Sequence, residues 1–229
     1  MIDIKKLKIS YENISLVDIS FKINSSIALV GESGSGKSLT LKALLNMLPT
    51  NLRVEKEIEY EFELDSNTIG FIPQNPFLSL STMTKIKDQM FCEFSKVEEV
   101  FKLLNLSLDI LEKYPSQISG GQVQRVVIAI AISRDIKLLL LDEPTTALDF
   151  ENKTNIINIV NSLKEQLGIK ILFVTHDIAT IENICDDIMI LKNGKIIESG
   201  TTKEILENPQ TAYTKLLISS SFKNKEFRK

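Results

Sequence analysis

Eight consecutive residues constrain this chain more than any others. Gly31, Glu32, Ser33, Gly34, Ser35, Gly36, Lys37 and Ser38 read G-x-x-x-x-G-K-[ST]. Glycines let a backbone curl until successive N–H groups point inward at phosphate oxygens. The helix that follows adds its positive end. In such a loop the lysine, Lys37, reaches the β- and γ-phosphates, and the serine, Ser38, ligates Mg²⁺. The flanks have the required form. Ile27 to Val30 is a short apolar run, and Leu39, Leu41, Leu44, Leu45 and Leu48 recur at helical spacing until Pro49 stops them. A flexible glycine–serine turn needs neither the Lys37–Ser38 pair nor a strand and helix on either side. Strand, glycine loop, helix is therefore the expected order, with a nucleoside triphosphate as the ligand.

A second segment completes the same chemistry. Leu138 to Leu141 is a strand of four leucines, the type buried on both faces of a parallel sheet. It delivers Asp142 at its carboxyl end, where open α/β sheets bind ligands. Asp142 is placed to hold the Mg²⁺ shell, and Glu143 to polarise the attacking water. The chain's one histidine, His176, follows the apolar strand Ile169 to Val174. A lone histidine is more often an ordinary surface or core residue. Its place at a strand end, beside the expected γ-phosphate, favours a phosphate-sensing role within Thr175-His176-Asp177.

The rest of the chain reads as α/β. Val17, Ile19, Phe21 and Ile23 alternate with polar residues, a half-buried strand. Residues 54 to 64 are acidic and alternating, an expected outer strand. Pro73 and Pro76 make a loop. The stretch 81 to 114 has a helical pattern, with Val97, Val100, Phe101 and Leu104 on one face, and reads as an inserted lobe. A helix is expected after Gly121 and another from Glu151 to Leu167. Asn193-Gly194 between apolar runs signals a hairpin. Strands alternating with helices imply a single α/β domain over 1–229, with its helical lobe at about 75–135.

Composition narrows the class. The 229 residues are 43% hydrophobic and 25% charged, with a net charge of -3. That suits one globular domain and lacks the basic footprint of a nucleic-acid binder. Cys92 and Cys185 have no metal-ligand spacing. No signal peptide or membrane span is read, so any membrane function needs a partner that spans.

These motifs resemble the ABC ATPase family from about residue 4 to residue 217. Ile118-Ser119-Gly120-Gly121-Gln122 looks like the family's signature, with isoleucine in place of the usual leucine. Gln74 resembles the Q-loop glutamine, Ala147-Leu148-Asp149 the D-loop, and Tyr11 the aromatic that stacks on adenine. The resemblance implies a P-loop NTPase core with a mainly parallel sheet, an antiparallel β subdomain at the N-terminus and an inserted α-helical signature subdomain. It implies ATP and Mg²⁺ as ligands. Glu143, His176, Lys37 and Gln74 are the expected catalytic residues. Ser38, Gln74 and Asp142 are expected at the metal. Tyr11, the loop from Gly31 to Leu39, and Ser119 to Gln122 are expected on nucleotide. In this family the signature loop faces the ATP of the opposite subunit, so one chain holds half of each site.

A finer resemblance points to the importers of oligopeptides, dipeptides and nickel. It rests on Gly31-Glu32-Ser33-Gly34 with Leu39-Thr40, on Phe71 to Leu80, and on the segment from Asn208-Pro209 through Tyr213-Thr214 to Leu217. It implies two permease subunits, an extracytoplasmic solute-binding protein, no nucleic acid, and a place on the cytoplasmic face of the membrane. Departures leave the cargo open. Leu39 replaces a common threonine, Gly36 to Gln74 is short for that branch, and no cysteine cluster follows Tyr213-Thr214. Two rivals stand beside this reading. A soluble ABC-type ATPase acting on DNA or ribosomes usually carries a coiled-coil insertion or a second ATPase domain. A P-loop kinase would lack Ser119 to Gln122. The basic tail, Phe222 to Lys229, reads as a solvated terminus rather than a lipid contact.

Overall fold

The computed structural model describes residues 1–146, 148 and 150–226, the side chains at 150 and 222–226 excepted. Its strands, in chain order, are β1 (Ile2–Tyr11), β2 (Ile14–Ile23), β3 (Ser26–Val30), β4 (Arg53–Tyr60), β5 (Ile69–Ile72), β6 (Leu138–Asp142), β7 (Lys170–Thr175), β8 (Asp187–Lys192) and β9 (Lys195–Thr201). Its helices are α1 (Lys37–Leu44), α2 (Phe94–Leu103), α3 (Gly120–Ile132), α4 (Phe150–Leu167), α5 (Ile178–Ile181), α6 (Thr202–Glu207) and α7 (Ala212–Glu226).

One sheet is antiparallel, ordered β2-β1-β4. The other is ordered β5-β6-β7-β3-β8-β9 and is parallel except for its last strand. Alternation along the central strands divides two cores. Val30, Leu139, Leu141, Phe173 and Ile190 pack with Val123 and Val127 of α3 and Ile156 and Val160 of α4. Leu29, Leu138, Leu140, Val174 and Leu191 pack with Leu41 and Leu44 of α1 and with Ile9, Val17 and Ile19 of the antiparallel sheet. The central sheet is thus covered on both faces, which is why its strands read as continuous apolar runs. Truncating a leucine such as Leu140, fully buried, would cost on the order of 2–5 kcal/mol.

Local details depart from the sequence expectations. Helix α1 stops at Leu44, before Pro49. Asn46 takes a left-handed φ of 57°, and the Met47 amide turns back to donate to Lys42 O at 2.8 Å. Asparagine tolerates that conformation, so it is the stop. The stretch 81 to 114 holds one α-helix, α2, between single 3₁₀ turns at Ile86–Gln89 and Leu108–Glu112. Asn105, at φ 51°, ends α2. The expected face of Val97, Val100, Phe101 and Leu104 is buried. The outer strand β4 ends at Tyr60. Asn193 and Gly194 both have positive φ, 49° and 73°, as a two-residue hairpin turn requires. No helix among the described residues is long and apolar enough to cross a membrane.

Candidate functional site

The glycine-rich loop joins β3 to α1, both pinned by the second core. Gly31 has no room for a side chain: a Cβ there would sit 2.3 Å from Leu191 O and 2.7 Å from Ser35 Oγ. Gly36 has a φ of 111°, and its Cβ would meet Val17 Cγ2 at 2.7 Å. These two close approaches hold the loop against β8 and β2. Lys37 is buried, and its Nζ donates to Gly31 O at 2.7 Å and Glu32 O at 3.0 Å. Nζ also lies 3.7 Å from Glu143 Oε1. Burial pushes the ammonium below the usual lysine value, against the pull of Glu143 and Asp142. The Ser35 hydroxyl is buried with no hydrogen-bond partner among the described residues.

The carboxylates arrive on β6. Ser38 Oγ donates to Asp142 Oδ1 at 3.4 Å. Burial raises the Asp142 carboxyl above the usual aspartate value and the charge of Glu143 adds to this, while the Ser38 bond opposes it. A hydroxyl and a carboxylate oxygen at the loop form a fitting set for a hard cation such as Mg²⁺, which takes few protein ligands and completes its shell with phosphate and water. No group of three His, Cys, Asp or Glu among the described residues could hold a metal by itself.

Glu143 takes a φ of 47°, uncommon for a residue with a side chain. Its amide donates to Val174 O at 2.9 Å, which ties the turn after β6 to β7. Glu143 Oε2 accepts from Thr146 Oγ1 at 3.0 Å and lies 3.5 Å from the Gln74 Nε2 donor. His176 Nδ1 is 3.0 Å from the same oxygen. Strain of this kind, over-determined by its neighbours, is typical of functional turns.

A cavity of 810 Å³ opens over these groups. Such a volume is in the range that holds a small-molecule ligand. Of the residues expected on nucleotide, metal or catalysis, Glu32, Ser33, Gly34, Gly36, Lys37, Ser38, Leu39, Gln74, Glu143 and His176 line it. Gly31, Ser35 and Asp142 do not form its wall. Neither do Tyr11 or Ser119 to Gln122. Tyr11 ends β1, paired with Ile14 beside the β1–β2 turn, and is 41% exposed. Ser119 caps α3 reciprocally: its Oγ accepts from the Gln122 amide, and Gln122 Oε1 accepts from the Ser119 amide. Ser119 and Gly120 are exposed. Ala147 and Asp149 of the expected D-loop lie outside the described residues, as do residues 227–229 of the tail.

Sequence reasoning missed Thr146, a threonine with no motif signal of its own. It also missed the contribution of α7, whose Leu216, Leu217 and Ser220 close one side of the cavity.

A phosphate-binding loop at the head of a parallel sheet, faced by an acidic strand end, defines a P-loop nucleotide site. The model of the ABC transporter family matches residues 14–146. A model described as an AAA domain, putative AbiEii toxin of a type IV toxin–antitoxin system, also matches residues 112–182. The chain is 34% identical over 230 residues to the dipeptide transport ATP-binding protein DppF of Haemophilus influenzae, covering 90% of this chain and 70% of that protein. It is 33% identical to the oligopeptide transport ATP-binding protein OppF of Lactococcus lactis, covering 89% of this chain and 70% of that one. It is 32% identical to the metal-staphylopine import system ATP-binding protein CntD of Staphylococcus aureus, covering 90% and 86%. The chain belongs to the ABC transporter family, whose ATP-binding subunits hydrolyse ATP to power transport.

Solved structures agree on the fold. One is cbiO1 from Clostridium perfringens, part of the ABC transporter complex cbiONQ, with a TM-score of 0.77 at 24% identity over 90% of each chain. Another is a dimeric ATP-binding cassette bound to ADP and phosphate, with a TM-score of 0.72 at 24% identity over 88% of this chain and 99% of that chain. The 32–34% identity to the peptide and metal-staphylopine transport subunits fits the transporter reading and not the rival of a soluble ATPase on DNA or ribosomes.

Proposed function

We propose that this chain is the ATP-hydrolysing motor of an importer whose cargo is a peptide or a metal complex. The observation that carries the chemistry is the convergence on Glu143. Lys37, Thr146 and His176 surround its carboxylate at the mouth of the phosphate loop. The loop amides and Lys37 bind the triphosphate and stabilise charge on the transferred phosphoryl group, the dominant device in this chemistry. Glu143 orients the attacking water, and His176 holds Glu143 while facing the γ-phosphate. Ser38, Asp142 and Gln74 would hold Mg²⁺, which would supply charge neutralisation for the triphosphate.

The cargo class rests on the relatives, whose names specify dipeptides, oligopeptides and metal-staphylopine. A nickel complex belongs to the same chemical range. Partnership with a second ATP-binding subunit is supported by Ser119 to Gln122, which do not reach the chain's own cavity. Partnership with two permeases is supported by exposed apolar residues that follow Gln74: Phe77 at 52%, Leu78 at 84% and Met83 at 85%. An extracytoplasmic solute-binding protein and a cytoplasmic, peripheral location complete the reading, and Tyr11 is retained as the adenine contact. The domain is one unit over 1–229, with the lobe at 75–135 carrying the signature.

The test is affinity capture of the tagged chain from detergent-solubilised membranes. Two integral membrane proteins should co-purify in stoichiometric amount, with ATP hydrolysis. Recovery with ribosomes or DNA instead would overturn the transport reading.

A further inference from the structure

Glu32 and Tyr213 lie 181 residues apart, and the Glu32 amide donates to the Tyr213 hydroxyl at 3.1 Å. The amide belongs to the peptide that joins Gly31 to Glu32. The carbonyl of that same peptide, Gly31 O, accepts from Lys37 Nζ at 2.7 Å. In a trans peptide the N–H and C=O point in opposite directions. One rigid plane is therefore held at one end by Lys37 and at the other by Tyr213.

Tyr213 is itself held in place. It is buried near the start of α7. The Lys192 ammonium lies 4.5 Å from the centre of its ring, within cation–π range. Glu198 of β9 accepts from the Gln210 amide at 2.7 Å, the Thr211 amide at 3.0 Å and the Thr214 hydroxyl, which anchors the chain on both sides of Tyr213. The first turn of α7 is thus fastened to β8 and β9, and its tyrosine reaches from there to the phosphate loop.

We propose that Tyr213 is a positioning residue for ATP: it sets the Gly31–Glu32 peptide, and through Gly31 O it sets the Lys37 ammonium that meets the phosphates. The carboxyl-terminal helix is then a working part of the ATP site rather than a packing appendage. This rests on the ATPase reading above. Replacing the hydroxyl by hydrogen leaves the ring and its packing but strands the Glu32 N–H, so the peptide plane can rotate and Lys37 loses one anchor. Lys37 keeps its bond to Glu32 O and so still meets the transferred phosphoryl group; what is lost is its preset position before ATP arrives, so binding should weaken more than turnover.

The experiment compares wild type with Tyr213→Phe in the intact chain. The readouts are KM and kcat for ATP hydrolysis, and the ATP-induced rise in Tm. The hydrogen bond is of the size that changes affinity about three- to tenfold. Tyr213→Phe should raise KM for ATP by that factor, keep kcat within about twofold, and show a smaller rise in Tm with ATP. Glu198→Gln, which loosens the first turn of α7 without touching Tyr213, should shift KM in the same direction and by less. A Tyr213→Phe variant with wild-type KM and wild-type ATP response would overturn the inference, as would a fall in kcat at constant KM. If Tyr213→Phe failed to fold, Glu198→Gln with wild-type KM would overturn it. Failure of the wild-type chain to bind ATP at all would instead sink the ATPase reading.

Discussion

His176 Nδ1 lies 3.0 Å from Glu143 Oε2, although the two residues follow the carboxyl ends of different strands, Glu143 after β6 and His176 after β7. The strands are adjacent and parallel, so their carboxyl ends present both side chains at the same edge. Glu143→Gln keeps the size and the hydrogen-bonding reach of the side chain but removes its capacity as a base. ATP affinity should stay within about threefold, while kcat falls by about 100-fold or more. Steady-state hydrolysis and ATP titration on the purified variant check this. Turnover at the wild-type rate would remove Glu143 from its assigned role.

Two glycines of the loop should respond differently to alanine. At Gly31 the new Cβ would meet the backbone oxygen of Leu191 at 2.3 Å, and neither partner can yield without moving β8. Gly31→Ala should cost more than about 2 kcal/mol and abolish ATP binding. At Gly34 nothing lies within 4 Å, and only the φ of 81° opposes a side chain. Gly34→Ala should cost about 1–2 kcal/mol and still fold. Chemical denaturation of both variants separates the cases. A loss at Gly31 no larger than that at Gly34 would mean that the Leu191 contact yields and does not set the requirement at Gly31.

The loop, the β6 carboxylates and His176 were legible because each is a local pattern: eight contiguous residues, four leucines before two acids, a polar turn after an apolar strand. What escaped was non-local or irregular. Register shifts fall between Ile4 and Leu7 and between Ile9 and Ser10, which breaks the period-two alternation that would have outlined β1. Strand β5 has four residues and includes Gly70, too short to show a period. The role of Tyr213 depends on a partner 181 residues away. The segment around Tyr213 stood out as a motif, yet no spacing rule connects it to Glu32. Ser119 to Gln122 do not line the cavity, and a site shared between two chains, as proposed for them, has no trace in the geometry of one.

Acid should act through Asp177. Its Oδ1 accepts from the Ala179 amide at 3.1 Å and caps α5, while Oδ2 accepts from Thr180 Oγ1 at 2.8 Å and pairs with Lys153. Burial by itself would raise this carboxyl; the bonds from Lys153, Thr180 and Ala179 outweigh it and hold the carboxyl below the usual value of 3.8. A folded pKa below the unfolded one contributes stability that is present above the unfolded value and lost as pH falls through the folded one. Asp177→Ala should therefore cost about 1–2 kcal/mol at neutral pH. The difference from wild type should shrink as pH drops below the ordinary aspartate range. Urea melts across pH give the two curves, and parallel curves down to the acid limb would show that Asp177 does not supply this stability.

The composite site can be tested by mixing two inactive chains. Lys37→Ala removes the ammonium from the loop, and Ser119→Arg places a bulky cation at the start of α3, where Ser119 caps the helix and is exposed. Loss of that cap should cost about 1 kcal/mol, small enough for the variant to fold. In a symmetric pair of identical subunits, each variant alone spoils both sites. In a mixed pair, one site joins the intact loop of one chain to the intact Ser119–Gln122 of the other. Random pairing makes half of the dimers mixed, with one competent site of two, so roughly a quarter of wild-type hydrolysis should return on mixing. The recovered rate should also rise with protein concentration, because the site exists only in the pair. Full activity of Ser119→Arg alone would mean that each chain completes its own site, and silence of the mixture would mean that Ser119 and Lys37 do not meet across a shared nucleotide.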